Sequence, residues 1–461
     1  MLLIFICLPA LARCFFPIPQ LDNIKEQPAT SDAGEALFVT PYLDSAERIE
    51  RAKQLAEVKP LAGQLKSYAG YFTVSREYNS NLFFWFFPSE NKPASDPLVL
   101  WLHGGPGHSS LMGLFHENGP FTVVQGKAVL RNSTRWTLNY NVLYIDNPVG
   151  AGYSFTDSWY GYSRTVQDAA DNLYEALRQF FTLFTDYRAN KFVLTGQSYA
   201  GKYIPVLAKL IHQKNAEKLN QNQSVTINLA GLFIGCGYIN PARQIRYADF
   251  VYEHGIVDWD DRQAIVAGER AAREAIEKDK YYVAWWHVAQ IALKAALAGY
   301  RPPYDVRQPS IDFSDHEQTV EFVQKSRTRA AIHVGSQKFR GNARVVWFFR
   351  ADLHKSAARQ LSAMLDHYHV LLFAGQFDMI IPPSQTDEVI ASLGWAKLND
   401  FQNAERRTWH VRGKPAGYRK TFDNLELAFV REANHAVVGS QPAHLFDLLN
   451  KFCAKFNVTS A

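Results

Sequence analysis

Cysteine is scarce, with 4 in 461 residues. Cys7 lies in an apolar N-terminal stretch, which leaves Cys14, Cys236 and Cys453, an odd number at no recognisable spacing. That excludes a disulfide scaffold and argues against a thiol-ligated metal, so these three are expected as buried or free thiols. An excess of one charge is also missing. A net charge of +5 is thin for this length, no Lys/Arg block or basic helix face occurs, and nucleic acid is not an expected partner. Long apolar runs are lacking too. "MLLIFICLPALARC" is apolar from Leu2 to Leu11, too short to span a membrane, and followed by polar sequence. Its small Ala10 and Ala12 stand where a signal peptidase needs them, so residues 1–12 read as a removed signal peptide. No later run is long enough for a membrane span. Sequons at Asn132, Asn222 and Asn457 agree with a secretory route and mark expected glycosylation sites.

What is present is the composition of an ordinary folded protein, 47% hydrophobic and 20% charged. Residues 13–66 are mixed, with a helix expected in "YLDSAERIERAKQLAEV". "SYAGYFTVSREYNSNLFFWFFPS" alternates with period two and predicts a hairpin turning near Asn79-Ser80-Asn81. "PLVLWLHGG", "VLYIDNP", "FVLTG", "NLAGLFIG", "HVLLFAG" and "LAFVREAN" are near-continuous apolar runs, as buried parallel strands require. Helical patterns such as "DAADNLYEALRQFFTLF" lie between several of them. That alternation predicts an α/β fold with a mostly parallel sheet. Residues 241–345 are helix-rich and interrupt it, which predicts an inserted helical cap between core segments 13–240 and 346–461.

One serine sits at a strand-to-helix junction. In "KFVLTGQSYAGKYIPVLAKLI", Phe192–Thr195 reads as a strand, and Tyr203, Val206, Leu207, Leu210 and Ile211 share a helical face. Ser198 therefore stands on a tight elbow, flanked by the small residues such a turn needs: Gly196, Ala200 and Gly201. The Tyr199 N–H and the helix dipole would face whatever reacts there. A nucleophilic serine needs a base, and the base an orienting acid. Asp378 follows the strand in "VLLFAGQFDMIIPP", and His435 follows the strand in "LAFVREANHAVVGSQP". His410 lies within a strand-like alternation, His444 on a helix, and His369 ahead of its strand, so His435 is the candidate base. "VLWLHGGPGHSSL" offers a glycine-rich loop for an oxyanion, with Gly104 and Gly105 free of obstructing side chains.

"WLHGGPGHSSL", "YIDNPVGAGYSF", "TGQSYAGKY", "FAGQFDMIIP" and the "NH…QP" segment together resemble the serine carboxypeptidases in order and spacing. "SYAGYFTVSREYNSNLFFWFFPS" and "AIHVGSQKF" look most like the vitellogenic-like carboxypeptidase branch. The resemblance runs from about Thr40 to Phe452. It implies an α/β-hydrolase fold with a helical cap and release of C-terminal amino acids from peptides and proteins, without a cofactor. A secretory-pathway protein, lysosomal or secreted, is expected, and the sequence leaves monomer or homodimer open. By position it makes Ser198 the nucleophile, Asp378 the acid, His435 the base, and the N–H groups of Gly105 and Tyr199 the oxyanion donors. His103, Gly104, Glu117 and Gln197 would hold the substrate's terminal carboxylate.

Four features depart from the family pattern: His103 for Asn, Gln197 for Glu, "A-N-H" before the base for "G-G-H", and Val437-Val438-Gly439 after it. The branch's cap cysteines are missing as well. Gln197 can donate an amide N–H at any pH, whereas His103, with an unperturbed pKa of about 6.5, would pair with a carboxylate when protonated. Glu117 would need its own proton. Two further functions stay open on this reading: an esterase or acyltransferase on the same fold, and a catalytically silent yolk-associated binding protein.

Overall fold

The computed structural model describes residues 33–131, 133–219, 225–297, 304–308 and 314–457. The strands are β1 (Tyr68–Ser75), β2 (Ser80–Phe87), β3 (Leu98–Leu102), β4 (Phe121–Val124), β5 (Lys127–Leu130), β6 (Asn141–Ile145), β7 (Phe192–Gln197), β8 (Leu229–Gly235), β9 (His369–Gly375), β10 (Arg406–Val411), β11 (Lys414–Phe422) and β12 (Leu425–Val430), and the expected runs supply all of them except β4, β5, β10 and β11. A 10-stranded sheet has the order β1-β2-β6-β3-β7-β8-β9-β12-β11-β10, and β4 pairs with β5 in a separate hairpin. β6, β3, β7, β8, β9 and β12 are parallel, and antiparallel strands close both ends.

β2, β3 and β6 are buried at every residue because both faces of the sheet are covered. Along β3 the pleat alternates between two cores. Leu98, Leu100 and Leu102 pack into one with the helices Val166–Leu183 and Ala200–Leu219, while Val99 and Trp101 pack into the other. The helix Val166–Leu183 begins at a capping box: Thr165 accepts from the Asp168 amide, and the Asp168 side chain accepts from the Thr165 amide. At the far edge, β10 shows five residues wholly or partly to solvent, including Arg406 and Arg407, which discourages pairing with another chain.

Three details differ from the sequence reading. The first hairpin turns through residues 76–79, with Asn79 at φ 47°, and Ser80 and Asn81 already belong to β2. His369 opens β9 rather than preceding it. The helices Trp259–Glu277, Tyr281–Leu297 and Ser314–Gln324 lie between β8 and β9, in the segment where a cap is expected, but a boundary at residue 345 falls inside the helix Ala343–Phe349. Val345 of that helix packs so closely on Gly107 that a Cβ there would come within 2.6 Å of it. The helix is thus seated on the core loop that follows β3. The expected signal peptide, Cys14, Asn132 and Asn222 lie outside the described residues, and Asn457 ends a C-terminal 3-10 turn. Cys236 and Cys453 are buried free thiols, and no helix among the described residues is long and apolar enough to cross a membrane.

Candidate active site

The sheet delivers the candidate residues to one edge. β7 ends in Gln197, and Ser198 follows with φ 58°, a left-handed conformation costing about 1–3 kcal/mol for a residue with a Cβ. Its surroundings hold it there. The Ser198 amide donates to Gly235 O at 2.9 Å, and Ser198 O accepts from the amides of Gly201 and Tyr238, each at 2.9 Å. The small neighbours are a packing requirement. A Cβ on Gly196 would lie 2.3 Å from Leu102 O, and one on Gly201 would lie 2.7 Å from the Gly237 backbone.

The loop after β3 comes up against the elbow. A Cβ on Gly104 would sit 2.6 Å from the Ser198 Cβ and 2.9 Å from the Tyr199 amide, so only glycine permits this approach. Gly105 has φ +118°, and a side chain there would strike the amides of Gly107 and His108. Among the described residues, the Gly105 and Tyr199 N–H groups donate to no protein acceptor. Asp146, at the end of β6, ties the loop down. It accepts from Ser109 Oγ at 2.6 Å, the Ser110 amide at 2.9 Å and the Tyr153 amide at 2.9 Å. Burial nevertheless pushes its carboxyl up to about 6. The sequence reading missed Asp146, although "YIDNP" places an Asp after a buried strand just as "FAGQFD" does.

The loops after β9 and β12 bring Asp378 and His435 together. His435 Nδ1 lies 2.9 Å from Asp378 Oδ2, while Asp378 Oδ1 accepts from the amides of Ile380 at 2.8 Å and Ile381 at 2.9 Å. With two amides already donating to this carboxyl, the His435 contact is met by a proton on Nδ1, the arrangement that turns Nε2 toward the substrate side. Among the described residues, Ser198 Oγ has no hydrogen bond to His435, a looseness common in unliganded enzymes. Cap residues that the sequence did not single out brace the pair. The His435 amide donates to Tyr304 O at 2.9 Å, the Val306 amide to Phe377 O at 3.0 Å, and the Tyr304 ring lies 5.2 Å from the His435 ring. Cys236 also joins them, its Sγ, an Asp378 oxygen and a His435 nitrogen all lying within 4.8 Å of one another. Burial and its hydrogen bond to Asp378 push that thiol well up, which suits a proton donor rather than a thiolate metal ligand.

On the other side of Ser198, Glu117 ends a π-helical turn, Gly113–Glu117. Gln197 Nε2 donates to Glu117 Oε1 at 2.7 Å, while Glu117 Oε2 and Gln197 Oε1 are buried without partners among the described residues. Burial pushes the Glu117 carboxyl up to about 8, against the opposing pull of the Gln197 hydrogen bond and the Arg131 charge. Glu117 thus holds its proton through neutral pH. His103 Nδ1 is 3.8 Å from Glu117 Oε1, too far for a hydrogen bond. Burial, then the neighbouring rings of His108, His316, His116 and His435, lower the His103 pKa well below the usual value. These two groups are therefore both neutral and form no ion pair. In the free protein His103 is thus held away from the protonated form in which it was expected to pair with a carboxylate.

The comparisons with known proteins agree with this geometry. The serine carboxypeptidase family profile matches residues 59–455. The chain belongs to the serine carboxypeptidase family. The human probable serine carboxypeptidase CPVL is 37% identical over 440 residues, covering 92% of this chain and 91% of that protein. The venom serine carboxypeptidase of Apis mellifera is 35% identical over 432 residues, covering 91% of each. The vitellogenic carboxypeptidase of Aedes aegypti is 34% identical over 436 residues, covering 92% of this chain and 91% of that protein. Among solved structures, the prohormone-processing carboxypeptidase Kex1(delta)p from Saccharomyces cerevisiae superposes with a TM-score of 0.77 at 22% identity, over 87% of this chain and 96% of that one. That likeness confirms the α/β-hydrolase fold.

Proposed function

We propose that this family member is a serine-type carboxypeptidase, and that Ser198, His435 and Asp378 perform its chemistry. The observation that carries the reading is the protonated Glu117 hydrogen-bonded to Gln197, the residue adjoining Ser198. A buried acid that keeps its proton has an O–H to donate, and Glu117 Oε2 has no protein partner. A peptide's terminal carboxylate is the complementary acceptor. With the amides of Gly104 and the Gln197 side chain, Glu117 would hold a chain end beside the nucleophile. An esterase site has no need of such a group.

In this scheme Ser198 Oγ attacks the last peptide carbonyl while His435 Nε2 takes its proton. Asp378 fixes the tautomer and stabilises the imidazolium. The negative charge on the tetrahedral oxygen is met by the N–H groups of Gly105 and Tyr199. The C–N bond then breaks, and His435 protonates the departing amine of the terminal residue. Water, deprotonated by His435, hydrolyses the acyl-enzyme and restores Ser198. The cap segment over His435 would favour chain ends over internal bonds.

A fluorophosphonate should label the wild-type protein and leave Ser198→Ala unlabelled. A peptide with a free C-terminus should lose its last residue while its C-terminally amidated counterpart stays intact. Internal cleavage of both at equal rates would refute the exopeptidase reading. Ser198→Ala and His435→Ala should each reduce kcat by a factor on the order of 10⁶, and the double variant by little more. We also propose processing through the secretory pathway to a lysosome or the cell exterior, with glycans at Asn132, Asn222 and Asn457. The sequons, the N-terminal apolar stretch and the venom relative support that reading.

A further inference from the structure

Four histidines cluster beside Glu117, coupled through His103, and the proposed chemistry uses none of them. His103 and His108 lie on the loop after β3, with ring centroids 6.0 Å apart. His116 precedes Glu117 on the π-helical turn, and His316 reaches it from the cap helix Ser314–Gln324. Their rings are stacked, 6.4 Å apart and inclined by 16°. Among the described residues, His103 Nδ1, His116 Nε2 and His316 Nε2 are buried with no hydrogen-bond partner. Buried polar atoms are normally satisfied, so several orphans in one place mark a site waiting for a partner.

The charges facing the cluster show which partner fits. The groups that act on His116 are His316 and Arg131, and those that act on His103 and His108 are other histidines, His435 included. Arg131 donates to Phe115 O at 2.9 Å and has a buried, unpartnered Nε. Asp315 and Glu317, beside His316 on its own helix, are exposed. Among the described residues acting on the cluster, the carboxyl group is that of Glu117, which burial raises to about 8, with Tyr304 near it. Among the described residues the cluster therefore brings together imidazoles and a guanidinium, and no ionised carboxylate acts on it at neutral pH. The His116 backbone oxygen lies against Gly439, just beyond His435, which puts the pair next to the terminal-carboxylate site.

We propose that His116 and His316 form a subsite for a second carboxylate, so that this enzyme prefers peptides ending in Asp or Glu. The proposal rests on the carboxypeptidase reading. The α-carboxylate is received at Glu117 and Gln197, and the side-chain carboxylate by the paired imidazoles. With the site empty, burial holds His316 down to about 4, and burial, helped by the charges of His316 and Arg131, holds His116 down to about 3. An anion placed between them favours the imidazolium form, so binding takes up a proton and the preference fades as pH rises.

The test compares kcat/KM for three N-blocked peptides that differ only in a C-terminal Glu, Gln or Leu, from about pH 4.5 to 7.5. For the wild type, the Glu-to-Gln ratio should be about tenfold or more near pH 5 and approach unity by about pH 7.5. His116→Phe and His316→Phe should each collapse it. Reading a ratio cancels any general loss of activity, and His316→Gln, which keeps one N–H, should retain part of the preference. A Glu-to-Gln ratio of unity or below at every pH overturns the proposal, and so does a ratio that survives in the double Phe variant. Failure to trim any of the three peptides, with Ser198 still open to fluorophosphonate, would instead overturn the carboxypeptidase reading itself.

Discussion

Asp378 and Glu117 are both buried carboxyl groups in one site, on opposite sides of Ser198, and the protein treats them in opposite ways. Asp378 meets two backbone amides and the Nδ1–H of His435, each at 2.8–2.9 Å. Glu117 meets a single amide from Gln197 and is otherwise desolvated, which pushes it up to about 8. Burial penalises charge in both places, and the number of donors decides whether that penalty is offset. On the proposed reading, Asp378 then orients the base as an acceptor, and Glu117 offers a donor to a carboxylate below about pH 8.

Neutralising each group without changing its shape should separate the two roles. Asp378→Asn replaces an acceptor by an amide that favours the wrong imidazole tautomer, so kcat/KM should fall by about 10⁴-fold, mostly in kcat. Glu117→Gln exchanges one neutral donor for another. Its effect should be confined to KM, about tenfold or less at pH 6, with kcat retained. Equal losses in kcat for the two variants would abolish the distinction.

A finer test uses pH. Because Glu117 is raised in the folded protein, its contribution to stability is complete below its unfolded pKa of about 4.3 and is lost as pH rises through about 8. Thermal stability should therefore decline between about pH 5 and 8, and Glu117→Gln should make that part of the profile shallower. KM for a Leu-ended peptide should stay flat to about pH 7 and rise beyond about 8 in the wild type alone. Parallel pH–stability curves for wild type and variant would show that Glu117 does not carry this proton.

The Asp378 side of the comparison was legible in the sequence and the Glu117 side largely was not. Ser198, Asp378 and His435 each follow a buried strand of a parallel sheet, and strand ends on one edge converge, so local pattern located all three. The Gln197–Glu117 bond joins residues 80 positions apart and was reached by resemblance alone. Residues 304–308 show no periodicity, yet they brace both Asp378 and His435 through backbone bonds that any sequence could supply. His116 and His316 come from separate layers, the core loop and the cap, and no spacing rule connects them. Least legible of all was charge. An imidazole or carboxyl in a sequence suggests its solution pKa, and only the packed structure shows that His103 and Glu117 are both neutral.

His103 supplies the smallest expected effect and the most direct test of that last point. Were it the cation for the substrate carboxylate, KM would climb as pH passed about 6.5, and His103→Asn would flatten the climb. In the structure it is desolvated and surrounded by four other histidines, which hold its pKa well below the usual value. It is also too far from Glu117 to gain a proton through a direct hydrogen bond. Across about pH 5 to 7.5 it should act as a neutral polar group, a role asparagine can fill. His103→Asn should therefore change KM for a Leu-ended peptide by less than about threefold, under 0.7 kcal/mol by the same rule, and leave its pH dependence superimposable on the wild type. The Leu-ended substrate matters because it keeps any side-chain carboxylate away from His116 and His316. A wild-type KM that rises around pH 6.5 and flattens in the variant would show that bound carboxylate lifts His103 back into its ordinary range. In that case the burial that neutralises the empty site would be overridden by the charge of the substrate itself.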